Sequence, residues 1–191
     1  MDTTNEFYDT ENNFMDEVKP VYEGLIYKYY KSLIDAKYRK FLERKYGKQL
    51  FRIAELKLRT FSPEIVEDLQ AENQLVSQHT KLIASAKFMF DGKERTLSQM
   101  LALGQSPDRE TRRKIREIIH NEYNLPHETE FDEIFDKLVT VRHQIARKLG
   151  FTSFIELAYA RLGRTEYDSF LLGHGCPDFM GQMPRNINLL M

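Results

Sequence analysis

The sequence predicts a mainly α-helical protein, a multi-helix, elongated helical domain with one small β-hairpin near Asp91-Gly92. Three observations carry that expectation. Apolar residues recur at three- and four-residue spacing through most of the chain up to Asp168, which gathers them on single helix faces. Ser-Pro start signals occur at Ser62-Pro63 and Ser106-Pro107, where serine can cap and proline suits the first helical position. The helical rhythm breaks once, at "KFMFDGKERTL".

The elements follow in order. Thr3 and Glu6 fit a T-x-x-E capping box at the start. Phe7, Tyr8, Glu11, Phe14, Met15 and Val18 then make a mostly apolar face that a helix can bury. Pro20 is expected in the first turn of a second helix, whose stripe is Tyr27, Tyr30, Ile34, Tyr38 and Phe41. Gly47 ends or kinks that helix. Ser62 and Pro63 open the next, with Glu64 near the positive end of the helix dipole and Ile65, Leu69, Leu75, Leu82 and Ile83 as core contacts. Phe88 and Phe90 alternate as in a half-buried strand before Asp91-Gly92, a dipeptide that tolerates positive φ at both positions. Ser106-Pro107 starts a helix with Ile115, Ile118, Ile119 and Tyr123 inward. Pro126 stops it and admits another, along which Phe131, Ile134, Phe135, Leu138, Ile145 and Leu149 run to a glycine cap at Gly150. Ser153 and Glu156 form an S-x-x-E box before the last helix. Residues 169–191 lose the periodicity and carry only Asp178 and Arg185 as charges, so an irregular tail is expected there.

Composition narrows the functional classes. With 191 residues the chain can bury one real core. Its 28 basic and 29 acidic residues lack the basic excess of a general nucleic-acid binder. The aromatics between Tyr27 and Arg52 fall at helical spacing, which favours a core over a stacking platform for bases. Cys176 is the only cysteine, which excludes an intrachain disulfide and favours a reducing compartment. The acidic start is unlike a secretory signal, and no apolar run approaches the ~20 residues of a membrane helix. A soluble cytoplasmic protein is expected, with no nucleic-acid and no membrane partner.

The chemical candidates are few. His127 and Glu128 begin like the H-E-x-x-H of zinc peptidases, which needs two histidines at i and i+4 on one helix face. Here Phe131 occupies the second histidine's place, so the two-letter match reads as a surface histidine near a cap. A wider cluster of His120, Glu122, His127 and Glu128 is interrupted by the "NLP" turn. His79 and His143 are single helical histidines and read as structural or solvated. His174 and Cys176 in "GHGC" adjoin in sequence, whereas catalytic pairs meet in space. No residue of this chain is therefore assigned as catalytic, cofactor-binding or metal-binding.

Several stretches together resemble one family. "DTTNEFYDTENNFMDEVKP", "YGKQLFRIAELKLRTFSPEIVEDLQAENQLVSQHTKLIASAKFMFDGKERTLSQM", "QSPDRETRRK" and "FDEIFDKLVTVRHQIARKLGFTSFIELAYARLGRTEYD" resemble oligoendopeptidase F, a group of zinc metallopeptidases related to thimet oligopeptidase. The resemblance covers nearly everything from Asp2 to Asp168, in the family's order. It implies a mostly helical body divided by a deep channel, a zinc helix with H-E-x-x-H in the later half, and short peptides as substrates. In such an enzyme zinc polarises the scissile carbonyl and acidifies its water, and a glutamate takes the proton.

The sequence departs from that family in three ways. Met1 falls inside the family's pattern, the chain stops short of the zinc helix, and residues 169–191 do not resemble the family, as after a truncation or frame shift. The expectation is a segment, residues 1–168, of the non-catalytic N-terminal half. Alone it would hold no zinc and cleave nothing, because the zinc belongs to the full-length parent. Faces built for a missing half, such as Phe131, Phe135 and Leu138, would be exposed and would favour marginal stability or self-association. The alternative is an independent helical module for protein interaction.

Overall fold

The computed structural model describes residues 5–165. Among them are eight α-helices and one antiparallel hairpin: α1 (Glu6–Ile34), α2 (Arg39–Tyr46), α3 (Lys48–Arg59), α4 (Val66–Ser85), β1 (Lys87–Phe90), β2 (Lys93–Thr96), α5 (Leu97–Leu103), α6 (Arg109–Ile119), α7 (Glu128–Lys148) and α8 (Phe154–Arg161). The mainly helical fold with a single hairpin is as the sequence predicts. Thr3 and residues 169–191, on which the first capping box and the irregular tail were expected, lie outside the described residues. None of the described helices is long and apolar enough to cross a membrane.

The described residues form two compact units, 5–20 with 67–142, and 21–66 with 143–165. In the first, Ala86, Phe88, Met100, Ile115, Ile119 and Tyr123 form a core, with Phe90 and Phe131 packed against it. The hairpin supplies Phe88 through the expected turn: Asp91 has φ 52° and Gly92 φ 71°, and Phe90 pairs with Lys93. Asp91 is the only described non-glycine residue with positive φ, a conformation short polar side chains tolerate. Leu82, Ile134 and Leu138 make a second cluster of this unit. In the second unit α3 packs on α8, and Phe51, Ala54, Phe61, Ile65, Ile145, Phe151 and Leu157 are buried. Helix α7 ends at Gly150 (φ 80°), where the Phe151 N–H reaches the Ala146 carbonyl at 2.9 Å, as the glycine cap predicts.

Several local expectations are corrected. Pro20 does not open a helix; it lies inside α1 and is that helix's one buried residue. Proline has no N–H for the carbonyl four residues earlier, and here the Asp16 carbonyl takes a hydrogen bond from Asn73 Nδ2 (3.2 Å). Gln70 Nε2 donates to the adjacent Glu17 carbonyl at 2.7 Å. The Asn73 amide of α4 thus stands in for the missing backbone donor, the Gln70 amide adds a bond beside it, and the helix continues. The face bearing Phe7, Phe14, Met15 and Val18 is exposed, not buried, because α1 meets α4 through its polar side. That side places Asn12 Nδ2 and the Asp16 carboxylate on Ser77 Oγ, at 2.9 and 2.5 Å, and Asp9 on Lys81.

Further along, the stripe from Tyr27 to Phe41 is broken by the end of α1, leaving Tyr38 and Phe41 exposed together with Tyr46. Lys37 and Lys45 lie over the rings of Tyr38 and Tyr46. Ile83 and Phe135 are exposed as well. Of the trio Phe131, Phe135 and Leu138, only Phe135 faces solvent, since Leu138 is buried and Phe131 packs on both clusters of its unit. Ser62 caps as expected, its Oγ accepting from the Glu64 N–H. The cap of α6 is Asp108 rather than Ser106: its carboxylate accepts from the Thr111 N–H (2.8 Å) and hydroxyl (2.6 Å). Ser153 makes no side-chain cap bond, and Glu156 takes the Thr152 hydroxyl instead. A full capping box forms at Thr96 and Gln99, where none was expected although T-x-x-Q is its signature.

Candidate functional site

The zinc-like stretch lies in the first unit, where α6 gives way to α7. The chain does not simply stop at Pro126. Residues His120–Asn124 form one π-helical turn, closed by the Leu125 N–H on the His120 carbonyl at 2.9 Å. The extra residue per turn carries Tyr123 into the core and leaves His120 and Glu122 exposed. The Tyr123 hydroxyl donates to the Leu82 carbonyl at 2.8 Å. Burial pushes its pKa up, and the nearby negative charge of Glu130 adds to the shift.

His127 immediately precedes α7, and its carbonyl accepts the Phe131 N–H at 3.0 Å. Its Nδ1 lies 2.8 Å from the Tyr123 carbonyl, so Nδ1 carries the proton and donates. Its ring lies against that of Tyr123, with centroids 4.8 Å apart. A backbone bond of this kind orients a histidine, and metal-binding histidines use it too. What is absent is a second donor: one turn on stands Phe131, whose ring packs against Tyr123 and His79.

A shallow cleft of about 170 Å³ adjoins this turn, lined by His120, Asn124, Leu125, Glu128, Phe131 and Asp132. Among the described residues no group of three His, Cys, Asp or Glu side chains is placed to hold a metal ion. The residues of this stretch therefore do not fit the zinc that the family resemblance implies. His120, Glu122, His127 and Glu128 share a short turn without converging on a point. His79 is a half-buried packing residue beside Phe131, and His143 is exposed, accepting from Arg147 Nε at 3.3 Å. His174 and Cys176 lie outside the described residues.

The second unit has a depression of about 290 Å³ whose walls include Tyr27, Arg59, Phe61 and Phe151. The Arg59 guanidinium lies 5.3 Å from the centre of the Phe151 ring, so packing on the aromatic face accounts for its position. This depression brings together two cations, Arg59 and Lys148, with aromatic rings and the Ser62 hydroxyl, which is engaged as a cap by the Glu64 N–H; no carboxylate and no imidazole are among the described residues that line it.

The comparisons with known proteins agree with one another. The family model of the Peptidase M3 N-terminal domain matches residues 1–61. The fold is similar to that of PZ peptidase A, solved with an inhibitor, at 51% identity and a TM-score of 0.84, covering 91% of this chain and 31% of that one. A protein assigned as oligoendopeptidase F is 51% identical, with a TM-score of 0.85 over 91% of this chain and 30% of the other. Another, from Bacillus anthracis strain Ames, is 47% identical, with a TM-score of 0.85 over 91% of this chain and 32% of the other. The chain thus spans about a third of the length of the solved structures it matches. No curated protein sequence matches it.

Proposed function

We infer that this chain, which belongs to the oligoendopeptidase F group of M3 peptidases, serves as helical scaffold in a zinc-dependent endopeptidase that hydrolyses short peptides. One observation carries the reading: 91% of the chain matches PZ peptidase A at 51% identity, yet the match takes up only 31% of that peptidase. Identity at that level over so many helices reflects a shared body, whereas the histidine-bearing turn offers no convergent donors. The scaffold supplies surface and shape. Polarisation of a peptide carbonyl and activation of water fall to polypeptide outside the described residues. A sole cysteine in 191 residues is in keeping with a reducing, cytoplasmic setting.

Metal analysis and a peptidase assay on the purified chain test this. Less than stoichiometric zinc is expected, with no chelator-sensitive cleavage of a quenched fluorescent peptide of about ten residues. One tightly held zinc per chain, together with cleavage abolished by chelator, would refute the scaffold assignment.

A further inference from the structure

Helix α1 is amphipathic the wrong way round for a helix that completes its own unit. In the first unit it is held by polar contacts: Asp9 to Lys81, Asn12 and Asp16 to Ser77, and the Asp16 and Glu17 carbonyls to Asn73 and Gln70. Its apolar side is left in solvent, with Phe7 65% exposed, Phe14 56%, Met15 53% and Val18 37%. Helix α6 of the same unit provides the internal control. It buries Ile115 and Ile119 and turns its charges outward, as a finished surface helix does. A contiguous apolar stripe on a helix already fixed by its other side marks an interaction surface.

Charge selects the occupant. No cation occurs from Asn5 to Val18; Asp9 and Asp16 are taken up by α4, which leaves Glu6, Glu11 and Glu17 as the remaining charges, with Glu11 within the stripe. Pairing with a second copy would bring two acidic segments together with no cation in either. An apolar surface rimmed by Lys and Arg fits instead. More than two thirds of PZ peptidase A lies outside its match to this chain, and that polypeptide belongs to the same folded molecule. We propose that the stripe Phe7, Phe14, Met15 and Val18 is a docking face for a cation-rimmed apolar surface in the part of the peptidase that this chain does not contain. The proposal rests on the scaffold reading.

The test is a chimera in which residues 5–165 of this chain replace the matching third of PZ peptidase A. Phe14→Glu with Val18→Glu is made in the chimera and in the isolated chain, and thermal unfolding and light scattering are followed in both. The pair is expected to lower the chimera's midpoint by roughly 5 °C or more while moving the isolated chain by about 1 °C or less. Lys114→Glu, on the exposed side of α6, is expected to leave the chimera unchanged. No shift in the chimera, or equal shifts in both proteins, overturns the docking face. So does a dimer of the isolated chain that the pair dissolves, which would make a second copy the occupant. Where the isolated chain aggregates, the chimera decides: a loss with the pair and none with Lys114→Glu supports the face, and equal losses overturn it. Failure of the unsubstituted chimera to fold would sink the scaffold reading beneath the proposal; a folded chimera indifferent to the pair sinks the docking face alone.

Discussion

Removing the Asn73 amide is expected to destabilise the first unit only while Pro20 is present. The Asp16 carbonyl would bond to the N–H of residue 20 in an uninterrupted helix, and proline has none. Asn73 Nδ2, at 3.2 Å, provides that missing donor from a half-buried position. Asn73→Ala strands the carbonyl, at a cost of about 1 kcal/mol, the lower end of the range for an unsatisfied polar group because water retains some access. For a chain of this size that lowers the unfolding midpoint by roughly 3 °C. In a Pro20→Ala background the new N–H satisfies Asp16 from within the helix, and Asn73→Ala should then cost only a few tenths of a kcal/mol, on the order of 1 °C. The measurement is a double-mutant cycle: thermal and urea unfolding of the wild type, both single variants and the double variant. A coupling energy near 1 kcal/mol is expected. Equal losses in the two backgrounds would refute the claim that Asn73 stands in for a backbone donor.

Two further outcomes follow from single contacts. Tyr123→Phe removes the 2.8 Å bond to the Leu82 carbonyl and keeps the ring, so urea unfolding should show a loss of about 1 kcal/mol with an unchanged denaturant slope. Asp108→Ala should lower the midpoint near neutral pH, because the carboxylate caps α6. The hydroxyl and N–H of Thr111 hold the Asp108 pKa below its ordinary 3.8. A lowered folded value stabilises above the unfolded value and is lost as pH falls through the folded one. The gap between variant and wild type should therefore narrow as pH drops below 3.8 in a melting series.

Much of the secondary structure was legible in short-range chemistry. Asp91-Gly92 could only be a tight turn, since both positions tolerate positive φ and Phe88 and Phe90 alternate before it. Ser62-Pro63 and Gly150 marked a start and a stop through preferences local to their own backbone. The misreadings share a physical cause. Pro20 forbids one hydrogen bond, and sequence alone does not reveal that an amide 53 residues away replaces it. Ser106 and Asp108 are both competent caps, and only the fold of the loop selects the aspartate.

The candidate site was decided in the same divided way. Phe131 at the second histidine's place excluded H-E-x-x-H from the sequence alone, because helical spacing admits no substitute at i+4. That His127 would be oriented by the Tyr123 carbonyl could not be read there, since the π turn depends on how Tyr123 fills the core. By itself the sequence determined residue-level constraints: that the chain is mainly helical, where the hairpin turn falls, and that H-E-x-x-H is not completed at His127. In α6 the stripe read from the sequence, Ile115 and Ile119, is the buried one, whereas in α1 only the tertiary structure decided which side is covered. Periodicity defines an apolar face, but only packing chooses the surface it meets, and in α1 the polar side won because α4 offers hydrogen bonds at matching heights.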